Sequence, residues 1–208
     1  MIRVLVVDDH TIFRAGIARL LSDEPDIAVT AQAADGATAL ALVRSQPFEA
    51  VLLDINMASR SGIETLQAIR TELPRLPVIM LSMYVESQYA RLALKARANA
   101  YLSKDVSPEE LLRAVRHVSA GGVYVTPGFA IATPPGPPSD RLPHENLSPR
   151  EMQVMLKIVR GLPLTEIGSQ ILVSVKTVAT HRTRILEKLG VASNAELVQY
   201  AMRHRLVD

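Results

Sequence analysis

Apolar residues cluster in five short runs up to about residue 122, and longer segments with helical spacing separate the runs. The runs occupy residues 4–7, 27–30, 51–53, 78–81 and 100–102. The first and third runs are apolar at every position, which is typical of strands covered on both faces. The pattern therefore predicts five strands of one buried sheet.

The segments between the runs carry apolar residues three and four positions apart, the spacing of helices that bury one face. They cover residues 11–22, 36–45, 61–73, 86–96 and 108–120. In the first segment the predicted buried stripe consists of Ile12, Ala15, Ile17, Leu20 and Leu21. Five strand–helix units with right-handed crossovers predict an α/β fold, a five-stranded parallel, doubly wound sheet between two layers of helices.

A proline-rich stretch ends this alternation. Residues 126–146 hold six of the thirteen prolines. Proline fixes φ and lacks an amide donor, so the stretch cannot continue a helix or a central strand. Four helical segments without a strand pattern follow it. The chain is therefore expected to contain two domains, at 1–122 and 147–208, joined by a linker at 123–146.

The second domain is predicted to be small and all-α. Ser148, with Glu151 three residues later, indicates a capped helix start, and Ser174 indicates another before a helix over 175–189. The break at residues 172–174 has the spacing of a helix-turn-helix. The side chains expected to face the core from the third helix are Val178, Ile185, Leu186 and Leu189. Periodicity alone is equally compatible with an ordinary helical bundle that has a basic, solvated face.

Composition narrows the class of protein. The 208 residues are 48% hydrophobic and 21% charged, as in a soluble globular protein. The absence of cysteine excludes a thiol nucleophile, a disulfide and a cysteine-ligated zinc. The sequence has neither a signal-peptide pattern nor an apolar stretch of about 18 residues, so a cytoplasmic protein without a membrane segment is expected.

Charge is distributed unequally between the two domains. Residues 1–125 carry 13 Lys and Arg against 14 Asp and Glu, a net charge of −1. Residues 126–208 carry 10 against 7, a net charge of +3. The basic excess therefore lies in the predicted helical domain, where it would suit a polyanion such as nucleic acid.

Five chemically active side chains stand at the predicted carboxyl ends of four strands: Asp8, Asp9, Asp54, Ser82 and Lys104. Parallel strands end at one edge of the sheet, so these groups are expected to converge there. Neighbouring carboxylates repel one another unless a cation relieves them, and hard oxygen ligands favour Mg²⁺. A carboxylate held by Mg²⁺ is a plausible nucleophile for phosphoryl transfer, with the lysine and the hydroxyl neutralising phosphoryl oxygens.

Some of these acids could also serve simpler or different chemistry. A single aspartate after a strand is more often the N-cap of the next helix, a role that would suffice for Asp9. A phosphohydrolase with Asp54 as its nucleophile would also use an aspartyl phosphate. Position 56, however, holds asparagine, which cannot protonate a leaving group.

Four motifs give the first domain a family resemblance: VLVVDDH at 4–10, LLDINM at 52–57, MLSMY at 80–84 and AYLSKD at 100–105. They resemble the flavodoxin-like receiver domain of bacterial two-component response regulators. The resemblance implies that a sensor histidine kinase phosphorylates Asp54, with Lys104 beside it and Ser82 and Tyr101 as switch residues. The Mg²⁺ ligands that it implies are Asp8, Asp9, Asp54 and the backbone carbonyl of Asn56.

Three positions depart from the family pattern. Ala58 stands where the family commonly has proline, so a more mobile loop is expected after the acceptor. Arg97 and Ala100 replace the usual glycines before Tyr101. They are expected to place bulk and charge near the surface that typically signals, and so to alter the amplitude of the switch.

The tail carries a second resemblance through LSPREMQVM, GLPLTEIGSQILVSVKTVATHRTRILEKLGV and SNAELVQYA, which together span 147–205. They resemble the LuxR-type helix-turn-helix of the NarL/FixJ subfamily. The third helix is then the recognition helix in the major groove of promoter DNA, and a last helix over 194–205 forms the dimer contact. The DNA-contacting residues that the resemblance implies are Ser174, Lys176, Thr177, Ala179, Thr180, His181, Arg182, Thr183, Arg184 and Lys188.

Within that set, Lys176, Thr177 and Lys188 match phosphate-binding positions. Ala179, Thr180 and Thr183 match base-reading positions, and Ala179 stands where many relatives have lysine. The expected function is that of a homodimeric transcription regulator controlled by phosphorylation. A DNA-binding regulator that does not depend on phosphorylation is the main alternative, and the phosphohydrolase is the other.

Overall fold

The computed structural model describes residues 1–58, 61–83, 87–124, 142–204 and 206–207. The chain divides into two compact units, residues 1–133 and 134–208. The division falls within the predicted linker, of which residues 125–141 lie outside the described residues. The exact domain boundaries stay a prediction, and the two units are described separately.

The first unit contains the predicted five-stranded parallel sheet. Its strands are β1 (Ile2–Val7), β2 (Ile27–Ala33), β3 (Ala50–Asp54), β4 (Val78–Ser82) and β5 (Ala100–Ser103). Their order across the sheet is β2-β1-β3-β4-β5. Every residue of β3 and β4 is buried, as expected for strands covered on both faces. The α/β fold class predicted from the apolar runs is therefore confirmed.

Five helices follow the five strands. They are α1 (Thr11–Ser22), α2 (Gly36–Ser45), α3 (Gly62–Glu72), α4 (Ser87–Lys95) and α5 (Pro108–Ser119). Local chemistry fixes several of their starts: Ser61 and Glu64 form a capping box at α3, and Ser107 caps α5 ahead of Pro108. The observed bounds lie within about a residue of the sequence predictions.

The predicted buried stripe of α1 is partly wrong. Ile12 is 90% exposed and Ala15 is also exposed, whereas Ala18 and Leu21 are buried. Phe13, Ile17 and Leu20 pack at the edge of the core. On a helical wheel these side chains form one arc that excludes Ile12 and Ala15, so an apolar residue at the first turn does not show which way the helix faces.

The second unit is helical, as predicted. A short 3₁₀ helix (Pro143–Asn146) precedes α6 (Pro149–Val159), α7 (Leu164–Gln170), α8 (Val175–Leu189) and α9 (Asn194–Arg203). The predicted capping box at Ser148 is present, and Ser174 caps α8. The core-facing residues predicted for α8 are all buried. None of the helices in the described part of the chain has the length and apolarity that crossing a bilayer requires.

Candidate functional site

The predicted reactive groups lie at the carboxyl edge of the sheet. Asp54 is the last residue of β3, and Asp8 directly follows Val7, which pairs with Leu53 beside it. Ser82 ends β4, and the backbone amide of Lys104 donates to the Ser82 carbonyl at 2.7 Å. Four neighbouring strands thus supply four of the predicted groups to one edge.

Lys104 joins two of the carboxylates. Its Nζ lies 2.7 Å from Asp8 Oδ2 and 3.1 Å from Asp54 Oδ2, and all three side chains are buried. The ring of Phe13 lies under the ammonium, with its centroid 4.6 Å from Nζ. A single buried cation is therefore shared by two buried carboxylates, which leaves the pair of acids incompletely neutralised.

The environment of Asp54 changes its acidity. Burial raises the pKa of the Asp54 carboxyl to about 6 from 3.8, because removing the ionised form from water is costly. The positive charge of Lys104 lowers this pKa, and the negative charge of Asp8 raises it further. At neutral pH the carboxylate is still mostly ionised, as a nucleophile must be.

The structure does not give Asp9 the N-cap role. The N-cap of α1 is His10, whose side chain makes no capping hydrogen bond. Asp9 Oδ2 instead accepts from the backbone amide of Ala58 at 2.8 Å, and so ties the end of β1 to the loop after β3. Ala58, which replaces the family's usual proline, supplies the amide donor that proline would lack.

Sequence reasoning missed the role of Gly62. A Cβ atom at this position would lie 2.0 Å from the backbone oxygen of Asp54. Only glycine allows α3 to begin so close to the acceptor strand. The amide of Gly62 also donates to the Ile55 carbonyl at 2.9 Å, which closes the loop between β3 and α3.

The carboxylates fit a hard divalent cation. Ligand atoms of Asp8, Asp9, His10 and Asp54 all lie within 4.8 Å of one another. Three carboxylates against one lysine leave excess negative charge, which a divalent ion would balance. The backbone amide of Asn56 donates to Asp54 Oδ1 at 3.3 Å. The predicted metal contact of the Asn56 carbonyl stays a prediction.

The two predicted switch residues are both buried. Ser82 is 0% exposed, and its strand neighbour is Ser103. Tyr101 is 4% exposed and pairs with Met80. Residues 84–86, which follow Ser82, lie outside the described residues. The positions of both side chains are consistent with the switch roles, which stay predictions.

Arg97 has a φ of +59°, a left-handed backbone conformation that favours glycine. Its carbonyl accepts from Nε of Arg70 at 2.9 Å. Arg70 also donates to the carbonyl of Leu76 and to Oδ1 of Asn99. The strained turn before β5 is therefore held by a guanidinium from α3, a contact that sequence reasoning missed.

In the second unit, α7 and α8 form a helix-turn-helix. Leu172 in the turn has a φ of +52°, a left-handed conformation that is uncommon outside glycine. Arg150 is only 9% exposed, and it donates to the carbonyl of Ile171 at 2.5 Å and to Oε1 of Gln153 at 2.7 Å. Arg150 thus fixes the turn from α6, a role that the sequence did not reveal.

The predicted DNA-contacting residues lie on α8 and at its N-cap. The exposed members of the set are Ser174, Lys176, Thr177, Thr180, Thr183, Arg184 and Lys188. The half-buried members are Ala179, His181 and Arg182. The hydroxyls of Thr180 and Thr183 donate to backbone carbonyls one turn earlier, so they stay close to the helix surface. The exposed side of α8 therefore carries mainly hydroxyl and cationic side chains, together with the exposed Val175.

Two of these cations also bond within the unit. Nε of Arg182 donates to Oδ1 of Asn194 at 2.7 Å, which ties α8 to the start of α9. Nζ of Lys188 lies 2.6 Å from Oε2 of Glu151, and hydrogen bonding to Lys188 contributes to the lowered pKa of that carboxyl. Both residues have a structural role here, and their predicted DNA contacts stay predictions.

The rings of His144, Tyr200 and His204 pack together and fix the beginning of this unit. His144 is 0% exposed, and its Nδ1 lies 2.9 Å from the hydroxyl of Tyr200. The backbone amide of His144 donates to the same hydroxyl at 3.3 Å. The ring centroids of His204 and Tyr200 are 4.4 Å apart. The 3₁₀ helix is thereby fixed to α9, through contacts that are too distant in sequence to predict.

Each of the two units matches a known protein family. Residues 4–116 match the response regulator receiver domain, and residues 145–201 match the bacterial regulatory proteins of the luxR family. The chain is 38% identical over 209 residues to the transcriptional regulatory protein UhpA of Salmonella typhimurium, covering 100% of this chain and 99% of UhpA. It is 36% identical over 211 residues to the response regulator GacA of Pseudomonas aeruginosa, with coverage of 100% and 99%.

A solved structure of RcsB from Salmonella enterica serovar Typhimurium, bound to the promoter rprA with the phosphomimetic BeF₃⁻, has a similar fold. Its TM-score is 0.67 at 22% identity, covering 96% of this chain and 98% of that chain. The two family matches and the identity to UhpA and GacA show that the chain belongs to the response regulators, in which a receiver domain controls an output domain. Its luxR-family output domain makes it a NarL/FixJ-type regulator, a DNA-binding transcription factor under the control of phosphorylation.

Proposed function

We propose that Asp54 is the phosphoacceptor of this regulator and that a sensor histidine kinase is its phosphoryl donor. The observation that carries the proposal is the shared contact of Lys104 with Asp8 and Asp54 at the buried edge of the sheet. A structural ion pair needs one acid, whereas this arrangement keeps a second acid and an ammonium beside the candidate nucleophile.

The chain's own residues account for the transfer. An ionised oxygen of Asp54 attacks phosphorus, the bond from phosphorus to the donor breaks, and the leaving group departs with the bond's electron pair. The ammonium of Lys104 lies 3.1 Å from Asp54 Oδ2, and it would pair with a negatively charged oxygen of the transferred phosphoryl group. Mg²⁺ held by Asp8, Asp9 and Asp54 would supply further neutralisation of those oxygens.

An apolar groove beside the acceptor supports a protein as the donor. Side chains of α1 and of the residues after β5 line this groove of about 380 Å³, among them Ile12, Phe13, Val106 and Lys104. Ile12 at its edge is 90% exposed, so its side chain is accessible to a protein that binds this groove. A kinase that covered Ile12 would place its phosphohistidine near Asp54.

For the output, α8 would lie in the major groove of promoter DNA and α9 would join two subunits of a homodimer. Lys176, Thr177 and Lys188 would contact phosphates, and Ala179, Thr180 and Thr183 would face the bases. Movement of Ser82 and Tyr101 toward a phosphorylated Asp54 would shift the population toward the binding-competent dimer. Because such a regulator acts on the bacterial chromosome, it would work in the cytoplasm.

Label uptake tests the acceptor. The wild-type chain, Asp54→Asn and Asp105→Asn are incubated with radiolabelled acetyl phosphate and Mg²⁺. Asp105 is an exposed aspartate next to Lys104 and serves as the matched control. Uptake should be lost in Asp54→Asn only; unchanged uptake in that variant contradicts the proposal.

Two further measurements separate the alternatives. Operator affinity that is equal with and without beryllofluoride would favour a regulator independent of phosphorylation, and sustained turnover of a phosphate ester would favour a phosphohydrolase. Ile12→Asp should slow transfer from a kinase while leaving uptake from acetyl phosphate unchanged, because the small donor does not need the groove. If Ile12→Asp slowed phosphoryl transfer from the kinase and from acetyl phosphate equally, the groove would not be the binding site of the kinase.

A further inference from the structure

The imidazole of His10 lies against the carboxylate cluster. Its Nδ1 is 2.8 Å from Asp9 Oδ1 and 3.2 Å from Asp8 Oδ1. One ring nitrogen of His10 belongs to a group of ligand atoms, with those of Asp8, Asp9 and Asp54, that all lie within 4.8 Å of one another. A nitrogen donor therefore stands among the oxygens of the proposed Mg²⁺ site.

The loop around His10 is fixed by several hydrogen bonds. Its backbone amide donates to Asp8 Oδ1 at 2.8 Å, and its carbonyl accepts from the amide of Arg14 at 2.9 Å. The Arg14 guanidinium also donates to the carbonyl of Asp8 at 2.5 Å. These bonds hold the backbone on both sides of the imidazole, while the His10 side chain itself is 65% exposed. The ring can thus exchange a carboxylate contact for an ion without a change in the fold.

An imidazole nitrogen changes which ions a site prefers. Mg²⁺ takes oxygen ligands and keeps its waters, whereas Zn²⁺ and other borderline first-row ions bind imidazole readily. Three carboxylates alone would suit Mg²⁺ or Mn²⁺. Three carboxylates with one imidazole form a mixed oxygen and nitrogen set that gives Zn²⁺ an additional strong bond.

We propose that His10 is a further metal ligand of this site, through Nδ1, and that it selects borderline divalent ions such as Zn²⁺ over Mg²⁺. The proposal rests on the proposed function, because it adds a ligand to the carboxylate site described there. It assigns to His10 a role in metal choice that is separate from phosphoryl transfer.

Metal titration of the untagged 208-residue chain tests this role. Binding of Zn²⁺ and of Mg²⁺ is measured by calorimetry at pH 8, where an ordinary imidazole is neutral. The variants are His10→Asn, which keeps a polar side chain but loses the imidazole, and His117→Asn. His117 is the other histidine of residues 1–133 and controls for adventitious zinc binding.

We expect His10→Asn to weaken Zn²⁺ binding by about tenfold or more and to change Mg²⁺ binding by less than about threefold. His117→Asn should leave both affinities at the site unchanged. With Mn²⁺ as a paramagnetic probe, pulsed EPR should detect a coupled ¹⁴N nucleus in the wild type and in His117→Asn, and none in His10→Asn.

Equal changes in Zn²⁺ and Mg²⁺ affinity would show that the imidazole acts only through charge, and would overturn the inference. So would the absence of ¹⁴N coupling in the wild type. Both results leave the proposed function intact if Mg²⁺ still binds and Asp54 still takes up label. Failure of the wild type to bind either ion would overturn this inference together with the proposed metal site.

Discussion

Asparagine in place of Asp54 is expected to stabilise the first unit, and by an amount that depends on pH. The buried carboxyl has a pKa of about 6 in the folded chain against 3.8 as its ordinary value. It therefore binds its proton more tightly in the folded state than in the unfolded state. Its ionisation destabilises the fold fully above pH 6, and this penalty fades as the pH falls through 6 toward 3.8.

The pKa difference sets the size of the effect. A rise in the pKa from 3.8 to about 6 corresponds to a penalty of about 3 kcal/mol at pH 8, because a tenfold change in proton affinity is worth about 1.4 kcal/mol. At pH 5 the folded carboxyl is mostly protonated, and roughly half of the penalty has been recovered. Asparagine has no proton to exchange in this range, so Asp54→Asn lacks this dependence.

Urea unfolding at pH 5, 6, 7 and 8 measures the effect. Loss of the amide resonances of Leu52 and Leu53 reports on β3, and so on the first unit alone. The stability advantage of Asp54→Asn over the wild type should shrink by about 1 kcal/mol between pH 8 and pH 5. The exposed control Asp105→Asn should show no comparable trend. An advantage of Asp54→Asn that is constant with pH, or grows as the pH falls, would refute the argument from burial.

Four other substitutions test single residues of the two units. Lys104→Met removes the cation that lowers the pKa of Asp54, so an NMR titration should show that this pKa rises above 6. Label uptake from acetyl phosphate should fall by at least about tenfold. An unchanged pKa of Asp54 would contradict the shared ion pair. Arg97→Gly removes a side chain from a residue with left-handed backbone conformation, which relieves backbone strain. Urea unfolding should show that the first unit is stabilised by up to about 1 kcal/mol. A loss of stability would mean that this strain is absent. Lys176→Ala should weaken DNA binding on every sequence and reduce the slope of log K against log salt by about 1. Lys188→Ala should reduce that slope less and destabilise the second unit by up to about 1 kcal/mol, because its ammonium pairs with Glu151; identical effects of the two lysines would contradict this distinction.

The fold and the grouping of the acids could be predicted from the sequence for a definite physical reason. Apolar runs identify strands covered on both faces, and parallel strands place their carboxyl ends together, so Asp8, Asp54 and Lys104 had to meet. Helix starts were equally predictable, because capping depends on residues three positions apart, as at Ser148 and Glu151.

Contacts that depend on tertiary packing could not be predicted. Arg150 reaches the carbonyl of Ile171, and His144 reaches Tyr200, across 21 and 56 positions that no periodicity links. Ile12 has the right residue type and spacing for the core but lies on the wrong side of α1. Local sequence patterns show which side chains of a helix are apolar. Which of these side chains are buried depends on how the helix packs against the assembled sheet.

The same burial that makes Asp54 costly gives the site a means of control. Ionisation of this carboxylate destabilises the fold by about 3 kcal/mol, and a positive charge placed beside it would recover part of that free energy. This penalty is similar in size to the free energies that couple sites in regulated proteins, which are of the order of 1–3 kcal/mol. An exposed aspartate would accept a phosphoryl group with little effect on stability. Burial against Asp8, with Lys104 shared between the two acids, instead couples the charge at Asp54 to the stability of the first unit.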